Sequence, residues 1–330
     1  MPGLQEISAC VTGCGIIDHN GSLCHDADWH RSIKNSALTV SPSNIDVICI
    51  PGGGVDRNGY LPPWIVASLD YALAVHNAQL AINSKPPFFL TESKGSPHAP
   101  EIRVDGRLVL ESERAFDFLV ACGVDKSVIA SDLFSMDTIG NAYAFRRFLD
   151  GAFGEIVECD VDAYRRFEIP ASPSVLIIGA DYHMPRLGYL HRRLLTLATS
   201  RQCDLYFITI NTEDYLDPAI RQVRFEKERS ALKKMQAPSS CNKPAFADVT
   251  TLLGFEDWLF KHHDAYNGSA KQPPAQQACD DYCYASEQNR RYLVKRAGEF
   301  ANYTGWLEQI SVVEHSSRPT KNNVALIATL

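Results

Sequence analysis

The sequence predicts an α/β protein: a parallel β-sheet with helices on both faces, followed by a helical C-terminal extension. Short apolar runs alternate with longer segments of helical periodicity, which is the pattern of βαβ units. The composition, 45% apolar and 22% charged residues, is that of an ordinary globular protein. A chain of 330 residues is long enough to bury a substantial core. Beyond residue 211 the alternation is replaced by charged amphipathic segments.

The strands and helices of the sheet region follow from these runs and from the prolines that precede them. Predicted strands are the apolar runs 45–50, 87–93, 128–130, 175–180 and 204–210. Predicted helices are 64–82 after Pro62-Pro63, 111–123, 137–149 and 185–198 beginning at Pro185. The Pro/Gly-rich segment 93–107 is predicted to be a loop. Ligands of such sheets lie at the carboxyl ends of the strands, which singles out the loops 51–60, 91–100, 131–141 and 181–186.

The chain divides into three predicted parts. Residues 1–40 form an N-terminal extension ending in a short helix, 41–211 the sheet domain, and 212–330 a helical extension packed on that domain. The extension has three predicted helices, 218–236, 250–266 and 286–310. We expect it to pack on the sheet domain because its large apolar side chains need burial; these are Trp258, Leu259, Phe260, Tyr292 and Trp306.

Charge and cysteine content favour a cytoplasmic protein with a small-molecule ligand. The formal net charge of −7 argues against a nucleic-acid or anionic-membrane partner. We predict no secretory signal, and no apolar run approaches the ~18 residues of a membrane span. Most of the ten cysteines are predicted to be buried free thiols of a reducing compartment. The alternative, a structural zinc site, would use the pairs Cys10/Cys14 and Cys279/Cys283.

The first two functional loops contribute glycines and a carboxylate. Gly52, Gly53 and Gly54 directly follow a predicted strand, where their backbone N–H groups form either an anion-binding concavity or a plain tight turn. Glu113 lies in the first turn of the helix that begins at residue 111. It is either a catalytic group or a carboxylate that complements the helix dipole.

The third loop ends in a helix start rich in short polar side chains. Asp137 is a predicted N-cap, and capping alone would account for it. Thr138 and Asn141 follow in the first turn, where they can also contact a ligand's oxygens.

The fourth loop places two basic residues at the start of a helix. His183 is either a general acid/base or a structural histidine. Arg186 adds positive charge to a helix terminus that is already positive, so a bound phosphate or carboxylate would balance it. The competing interpretation is a salt bridge from Arg186 to Glu113 or Asp181.

Taken in order, the motifs PGGG, ESERAFDFLVACGV, SMDTIGNAYAF and VLIIGADYHMPR resemble the YdcF-like/SanA-like family (domain of unknown function 218). The resemblance spans about residues 45–210, and SKGSPHAP, RFEKERSAL and WLFKHHDAY extend it, as in the cytosolic eukaryotic branch, to about residue 266. It implies a Rossmann-like domain with a helical C-terminal part, and S-adenosylmethionine as a ligand of some members. The site residues it implies are Gly52, Gly53, Gly54, Glu113, Asp137, Thr138, Asn141, His183 and Arg186.

Two positions depart from the family pattern. Members often have Ser-Gly-Gly after the second strand, whereas this chain has Glu92, Ser93 and Lys94 there. We therefore expect Glu92 and Lys94 to line the pocket and to alter its ligand. Bacterial members often carry Glu immediately before the helix-start Asn, where this chain has Gly140.

The function predicted from these residues is that of a small-molecule enzyme with an anionic substrate that is phosphorylated, nucleotide-like or a carboxylate. His183 would be the acid/base and Glu113 its partner, in hydrolysis or group transfer. The sequence shows no activated Ser or Cys beside a base, which disfavours a covalent mechanism. The alternatives are an S-adenosylmethionine-binding transferase or sensor, and a non-enzymatic scaffold. No metal site is predicted, because the spacing of Asp137, Asp181 and His183 is not diagnostic. The oligomeric state stays open.

Overall fold

A computed structural model describes residues 45–56, 59–83, 85–97, 101–104, 106–154, 156–197, 203–239 and 244–267. The predicted N-terminal extension 1–40 and the predicted third C-terminal helix 286–310 lie outside the described residues. So do the two cysteine pairs of the alternative zinc site, and the side chains of Tyr292 and Trp306.

The core of the molecule is a six-stranded, mostly parallel sheet. The strands of the described residues, in chain order, are β1 (Val47–Ile50), β2 (Phe88–Thr91), β3 (Arg103–Val104), β4 (Arg107–Leu108), β5 (Ile129–Asp132), β6 (Val157–Glu158), β7 (Ser174–Ala180) and β8 (Asp204–Ile210). The sheet order is β6-β5-β2-β1-β7-β8, and only the edge strand β6 runs antiparallel to its neighbour. At the centre, Val47 of β1 is in register with Phe88 of β2 and Val175 of β7.

Helices cover both faces of this sheet, so the predicted Rossmann-like α/β fold is confirmed. The helices of the described residues are α1 (Pro63–Asn83), α2 (Glu111–Ala121), α3 (Thr138–Leu149), α4 (Val161–Phe167), α5 (Met184–Thr196), α6 (Pro218–Gln236) and α7 (Leu252–His262). The hairpin β3–β4 overlaps the end of the segment predicted to be a loop, and β6 and α4 were not predicted. Two-residue strands and a seven-residue helix are too short to produce a recognisable hydrophobic period.

Alternate side chains of each strand pack into different hydrophobic layers. In β1, Ile48 and Ile50 join the layer formed with α1 and α2, whereas Val47 and Cys49 join the layer formed with α3 and α5. The two layers are continuous apolar cores on opposite faces, as a buried parallel strand requires. The strands are therefore covered on both sides, and their carboxyl ends are the places where polar loops can meet.

The described C-terminal helices pack onto the sheet domain. Leu259 and Phe255 of α7 lie four residues apart and are buried in a cluster with α3 and α5. Trp258 is half-buried in the same cluster. Phe260 was expected to be buried, but it is 45% exposed, because it follows Leu259 around the helix and leaves the buried face.

Helix α1 is long and apolar enough, by length and composition alone, to cross a membrane. The structure explains this apolarity differently, because 56% of its most apolar window is buried inside the protein. Trp64, Val66 and Leu69 are among its residues with almost no exposure. The helix is a central core helix, which needs apolar residues around most of its circumference.

Candidate functional site

The glycine loop after β1 surrounds one of the protein's own carboxylates. The Gly54 N–H donates to Glu111 Oε2 at 2.9 Å, and the Gly53 N–H and the Ser93 hydroxyl also bond to this carboxylate. Glu111 is buried, and burial raises the pKa of its carboxyl, while these donors oppose the rise. The backbone N–H groups of Gly53 and Gly54 therefore bond to a carboxylate of the protein itself, that of Glu111.

The structure places Glu113 outside this arrangement. Its carboxylate lies 3.5 Å from the Arg107 guanidinium on the β3–β4 hairpin and is 35% exposed. Glu111 and Glu113 are two residues apart, so they point to different sides of α2. Sequence reasoning missed Glu111, although its spacing to Ala115 and Phe118 puts it on the buried face of the helix.

Asp132, at the end of β5, joins the second and third loops and was also missed. Its carboxylate accepts from the backbone N–H groups of Ser93 at 3.0 Å, Phe134 at 2.9 Å and Ser135 at 3.0 Å, and from the Ser135 hydroxyl. Burial raises the pKa of Asp132 to about 7, although these bonds favour the carboxylate. Ser93 is held at φ 87°, a conformation that favours glycine.

Asp137 caps α3, as predicted. Its Oδ1 accepts from the Gly140 N–H at 2.9 Å, and the Tyr266 hydroxyl donates to the same atom at 3.2 Å. Its Oδ2 lies 2.6 Å from His263 Nε2. Burial alone would raise the pKa of Asp137. The hydrogen bond from His263, the charge of His263 and the hydrogen bond from the Gly140 N–H outweigh burial, so the pKa is lowered overall. These contacts occupy both carboxylate oxygens.

The fourth loop brings His183 against the start of α3. His183 Nε2 lies 2.7 Å from Thr138 Oγ1 and 3.4 Å from Arg186 Nη2. A guanidinium can only donate, so Nε2 is the acceptor and the Thr138 hydroxyl donates to it. The pKa of His183 is lowered to about 4, mainly by burial; the Glu228 charge opposes this shift and the Arg186 charge adds to it. His183 is therefore a neutral imidazole with its lone pair on a hydroxyl group.

Arg186 has a carboxylate partner that the sequence did not reveal. Its Nε and Nη2 donate to the two oxygens of Glu228 on α6, at 2.6 and 2.9 Å. Neither predicted partner is involved, because Asp181 pairs with Arg221 and Glu113 lies at the hairpin. The expectation that the Arg186 charge lacks a protein partner is wrong. Glu228 follows 42 residues later in a helix of mixed charge, and no local motif marks it.

Arg224, on α6, links the first and fourth loops. The Arg224 guanidinium lies 5.4 Å from the Trp64 ring and 5.2 Å from the Tyr182 ring, and it donates to the Tyr182 hydroxyl at 2.8 Å. Trp64 in turn lies against Gly53, where an added Cβ would be 2.9 Å from its Nε1. Trp64 and Arg224 therefore connect the glycine loop with the 181–186 loop. The region bounded by these two loops and the start of α3 is called the cleft.

Three further predicted residues occupy different environments. Asn141 is buried at the start of α3, and its Oδ1 has no hydrogen-bond partner among the described residues. Lys94 is exposed. Glu92, expected to line the pocket, is fully buried and points into the layer below the cleft, against His191.

The edge of the sheet thus brings part of the predicted site together. Thr138, His183 and Arg186 are in contact, with Asp137 and Asp181 beside them in the same loops; Glu113, Glu92 and Lys94 are not part of this contact set. No family model, curated protein or solved structure matches the chain. The geometry of the site is therefore the basis for any functional conclusion.

The close fit of Gly52 gives a first prediction. An added Cβ would overlap both Glu111 Oε2 and Ser93 Cβ. We expect Gly52→Ala to lower the free energy of unfolding by about 1–3 kcal/mol, measured by urea denaturation. The double variant Gly52→Ala/Ser93→Gly removes one overlap and should lose less stability than the two single changes predict together. Wild-type stability of Gly52→Ala would contradict this packing.

The titration of His183 gives a second prediction. Its histidine C–H resonances, assigned with His183→Gln, should titrate near pH 4 rather than near the ordinary ~6.5. Between about pH 4 and pH 6.5 the His183 imidazole is protonated in the unfolded chain and neutral in the folded chain. Stability should therefore fall as pH is lowered from about 6.5 to about 4, by up to about 3 kcal/mol from this group.

The matched comparison is the same pH series on His183→Gln. Asp132 acts in the opposite direction, because its raised pKa lets the folded state bind a proton first. That effect is common to both proteins, so the difference between the two pH profiles isolates His183. Parallel profiles, or a midpoint near 6.5, would contradict the buried neutral imidazole.

Proposed function

We propose that the chain is a small-molecule enzyme that binds an anionic substrate at the carboxyl edge of the sheet and carries out hydrolysis or group transfer. The observation that carries the proposal is the contact between neutral His183 Nε2 and the Thr138 hydroxyl beside the anchored Arg186 guanidinium. The substrate class is phosphorylated, nucleotide-like or a carboxylate, as the sequence motifs suggest.

Arg186 supports the anion-binding half of this proposal in a different way from that expected. Its bonds to Glu228 use Nε and Nη2, and no described residue accepts from Nη1. Glu228 holds the planar guanidinium in one orientation, so little side-chain freedom is lost when Nη1 binds a ligand oxygen. Helix α5 also begins here without a side-chain cap, and its first-turn N–H groups and dipole favour an anion.

Thr138 and His183 support the catalytic half. A hydroxyl that donates to a neutral imidazole is the arrangement in which enzymes activate a nucleophile or relay a proton. As the Thr138 hydroxyl oxygen attacks the substrate, its proton passes to His183 Nε2; if a bound water attacks instead, Thr138 takes a proton from that water as it gives its own to Nε2. The proton on Nε2 then passes to the leaving group. When Thr138 itself attacks, a water or acceptor that gives its proton to Nε2 afterwards takes the group from Thr138, and Nε2 returns the proton to the Thr138 oxygen. The sequence argument against a covalent route considered only Ser and Cys, and Thr138 reopens it.

Membership of the YdcF-like/SanA-like family and a cytoplasmic location belong to the same proposal. Their support is that the motifs of the resemblance supply the glycine loop, Asp137, Thr138, His183 and Arg186 at one sheet edge. Among the described residues Cys49 is a buried free thiol, whereas Cys122, Cys159 and Cys203 are free thiols that are only partly buried.

Two alternatives make different use of the chain. In an S-adenosylmethionine-binding protein the methionine carboxylate would bind the Arg186 guanidinium. An acidic side chain would also have to bind the ribose hydroxyls, and Glu92 is buried against His191 and is not placed to do so. A scaffold role would use the exposed apolar side chains of the C-terminal helices. In the described part these include Ile220, Val223 and Leu253.

Ligand binding tests the anion site. In isothermal titration calorimetry we expect inorganic phosphate, a nucleoside monophosphate or a dicarboxylate to bind, and Arg186→Lys to weaken that binding by about tenfold or more. Arg193→Lys, on the same helix but bonded to the carbonyls of Ala247 and Val249, is the matched control. Binding of S-adenosylmethionine alone would favour the alternative, and equal affinities of both lysine variants would remove Arg186 from the site.

Turnover of whichever anion binds tests the dyad. We expect His183→Ala to reduce turnover by at least about 100-fold while binding changes little, because the imidazole moves a proton rather than holding the ligand. Thr138→Ser should retain activity, and Thr138→Val should lose it. Product formation can be followed by mass spectrometry. Full turnover by either His183→Ala or Thr138→Val would refute the proposed roles.

A further inference from the structure

Below the cleft, three metal-ligating side chains converge in the interior. Cys49 extends from β1, Glu92 follows β2 and His191 lies on α5. One ligand atom from each lies within 4.8 Å of the others, and all three residues are buried. The side chains of Glu92 and His191 have no exposed surface at all.

The polar atoms of this cluster lack the partners that buried groups normally have. Among the described residues no N–H or hydroxyl group donates to either carboxylate oxygen of Glu92, whose one hydrogen-bonding neighbour is the Cys49 thiol, and His191 Nε2 has no partner. Leaving such atoms unpaired in an apolar interior is costly, and native proteins rarely do so. The aromatic ring of Phe145, 5.0 Å from the His191 ring, offers no compensating acceptor or donor.

The second ring nitrogen of His191 defines its tautomer. Nδ1 lies 2.8 Å from the carbonyl oxygen of Leu187, which can only accept, so Nδ1 carries the hydrogen. In the neutral ring the lone pair is then on Nε2, which lies 3.6 Å from Glu92 Oε1. Histidines that bind metals commonly donate their other N–H to a backbone carbonyl in this way.

We propose that Cys49 Sγ, a Glu92 carboxylate oxygen and His191 Nε2 bind a structural divalent cation, zinc by donor chemistry. A thiolate and a carboxylate together carry two negative charges and the imidazole none, so a divalent cation leaves the buried cluster neutral. Thiolate, imidazole and carboxylate are the three side-chain ligand types of zinc in proteins. The site would tie β1, β2 and α5 together.

The separations are close to those of a tetrahedral site. Zinc bonds of about 2.0–2.3 Å imply ligand atoms roughly 3.3–3.6 Å apart. His191 Nε2 and Glu92 Oε1 are already 3.6 Å apart, as in such a site. The three ligand atoms lie within 4.8 Å of one another, so the widest pair would have to approach by at most about 1 Å. Small rotations of the Cys49 and Glu92 side chains supply such a shift.

We assign Asn141 to the fourth ligand position from its place on α3. It precedes Phe145 by four residues, so the two share a face of α3, and Phe145 contacts the His191 ring. Its amide oxygen is buried and has no hydrogen-bond partner among the described residues. This oxygen, or a water bound to it, would take the fourth position.

The proposal does not depend on the enzymatic proposal above. It uses none of Thr138, His183 or Arg186. The two proposals share no ligand or catalytic side chain, so metal content tests this proposal and anion binding tests the other.

The wild-type full-length chain provides the first test. Purified from zinc-supplemented cells, it should retain zinc by elemental mass spectrometry, and its melting temperature should fall on removal by a chelator and rise again with added Zn²⁺. Cobalt substitution should give a thiolate-to-cobalt charge-transfer band and the intense visible absorption of a tetrahedral site. A protein that retains no zinc and shows neither a thermal shift nor these bands would overturn the proposal.

Variants then locate the metal. The chain has ten cysteines, so the readout is the loss of one equivalent relative to wild type. We expect this from Cys49→Ser, from the near-isosteric Glu92→Gln and from His191→Gln, with affinity reduced more than about 100-fold. Cys159→Ser and His76→Gln, a half-buried thiol and a buried histidine outside the cluster, should retain that equivalent. Retention by folded Glu92→Gln and Cys49→Ser would place the metal elsewhere and refute this site.

Discussion

Backbone N–H groups at the carboxyl ends of parallel strands need acceptors, and in this protein buried carboxylates supply them. Glu111 accepts from Gly54, Asp132 from Ser93, and Asp137 from the first turn of α3. Burial penalises each carboxylate; the hydrogen bonds offset this cost in part for Glu111 and Asp132, whose pKa values stay raised, and more than offset it for Asp137. The three loops therefore have internal partners before any ligand arrives, and this arrangement sets the positions of Thr138 and His183.

The same principle governs the basic side of the cleft. Arg186 and Arg221 reach it from neighbouring helices, and each has a carboxylate partner, Glu228 and Asp181 respectively. The result is an oriented guanidinium rather than an excess of positive charge. Recognition of an anion would then depend on the direction of the guanidinium N–H groups that do not bond to these carboxylates. Directed N–H groups discriminate between ligand shapes better than an unpaired charge does. His183 is neutral within this setting because burial outweighs the attraction of Glu228.

Local patterns predicted the fold well because they carry its main determinants. The apolar runs, the prolines at helix starts and the Asp137 cap are readable within a few residues. Partners set by tertiary packing are not: Glu228 is 42 residues from Arg186, and nothing near either residue in the sequence indicates their pairing. Glu111 was recoverable from helical spacing. Glu92 was assigned to the pocket because it stands where the family resemblance has a Ser-Gly-Gly loop, but its side chain is buried against His191 instead.

The cleft also draws on parts of the chain beyond the sheet. Glu228 comes from α6, and His263 and Tyr266 follow α7 and bond to the cap of α3. A fragment ending at residue 211 would keep all the parallel strands of the six-stranded sheet. It would lack Glu228, which holds the Arg186 guanidinium, and it would lack His263 and Tyr266, so that solvent would replace these two partners of Asp137. Where an expression boundary is drawn therefore decides whether a recombinant fragment reports the behaviour of the native cleft or of an incomplete one.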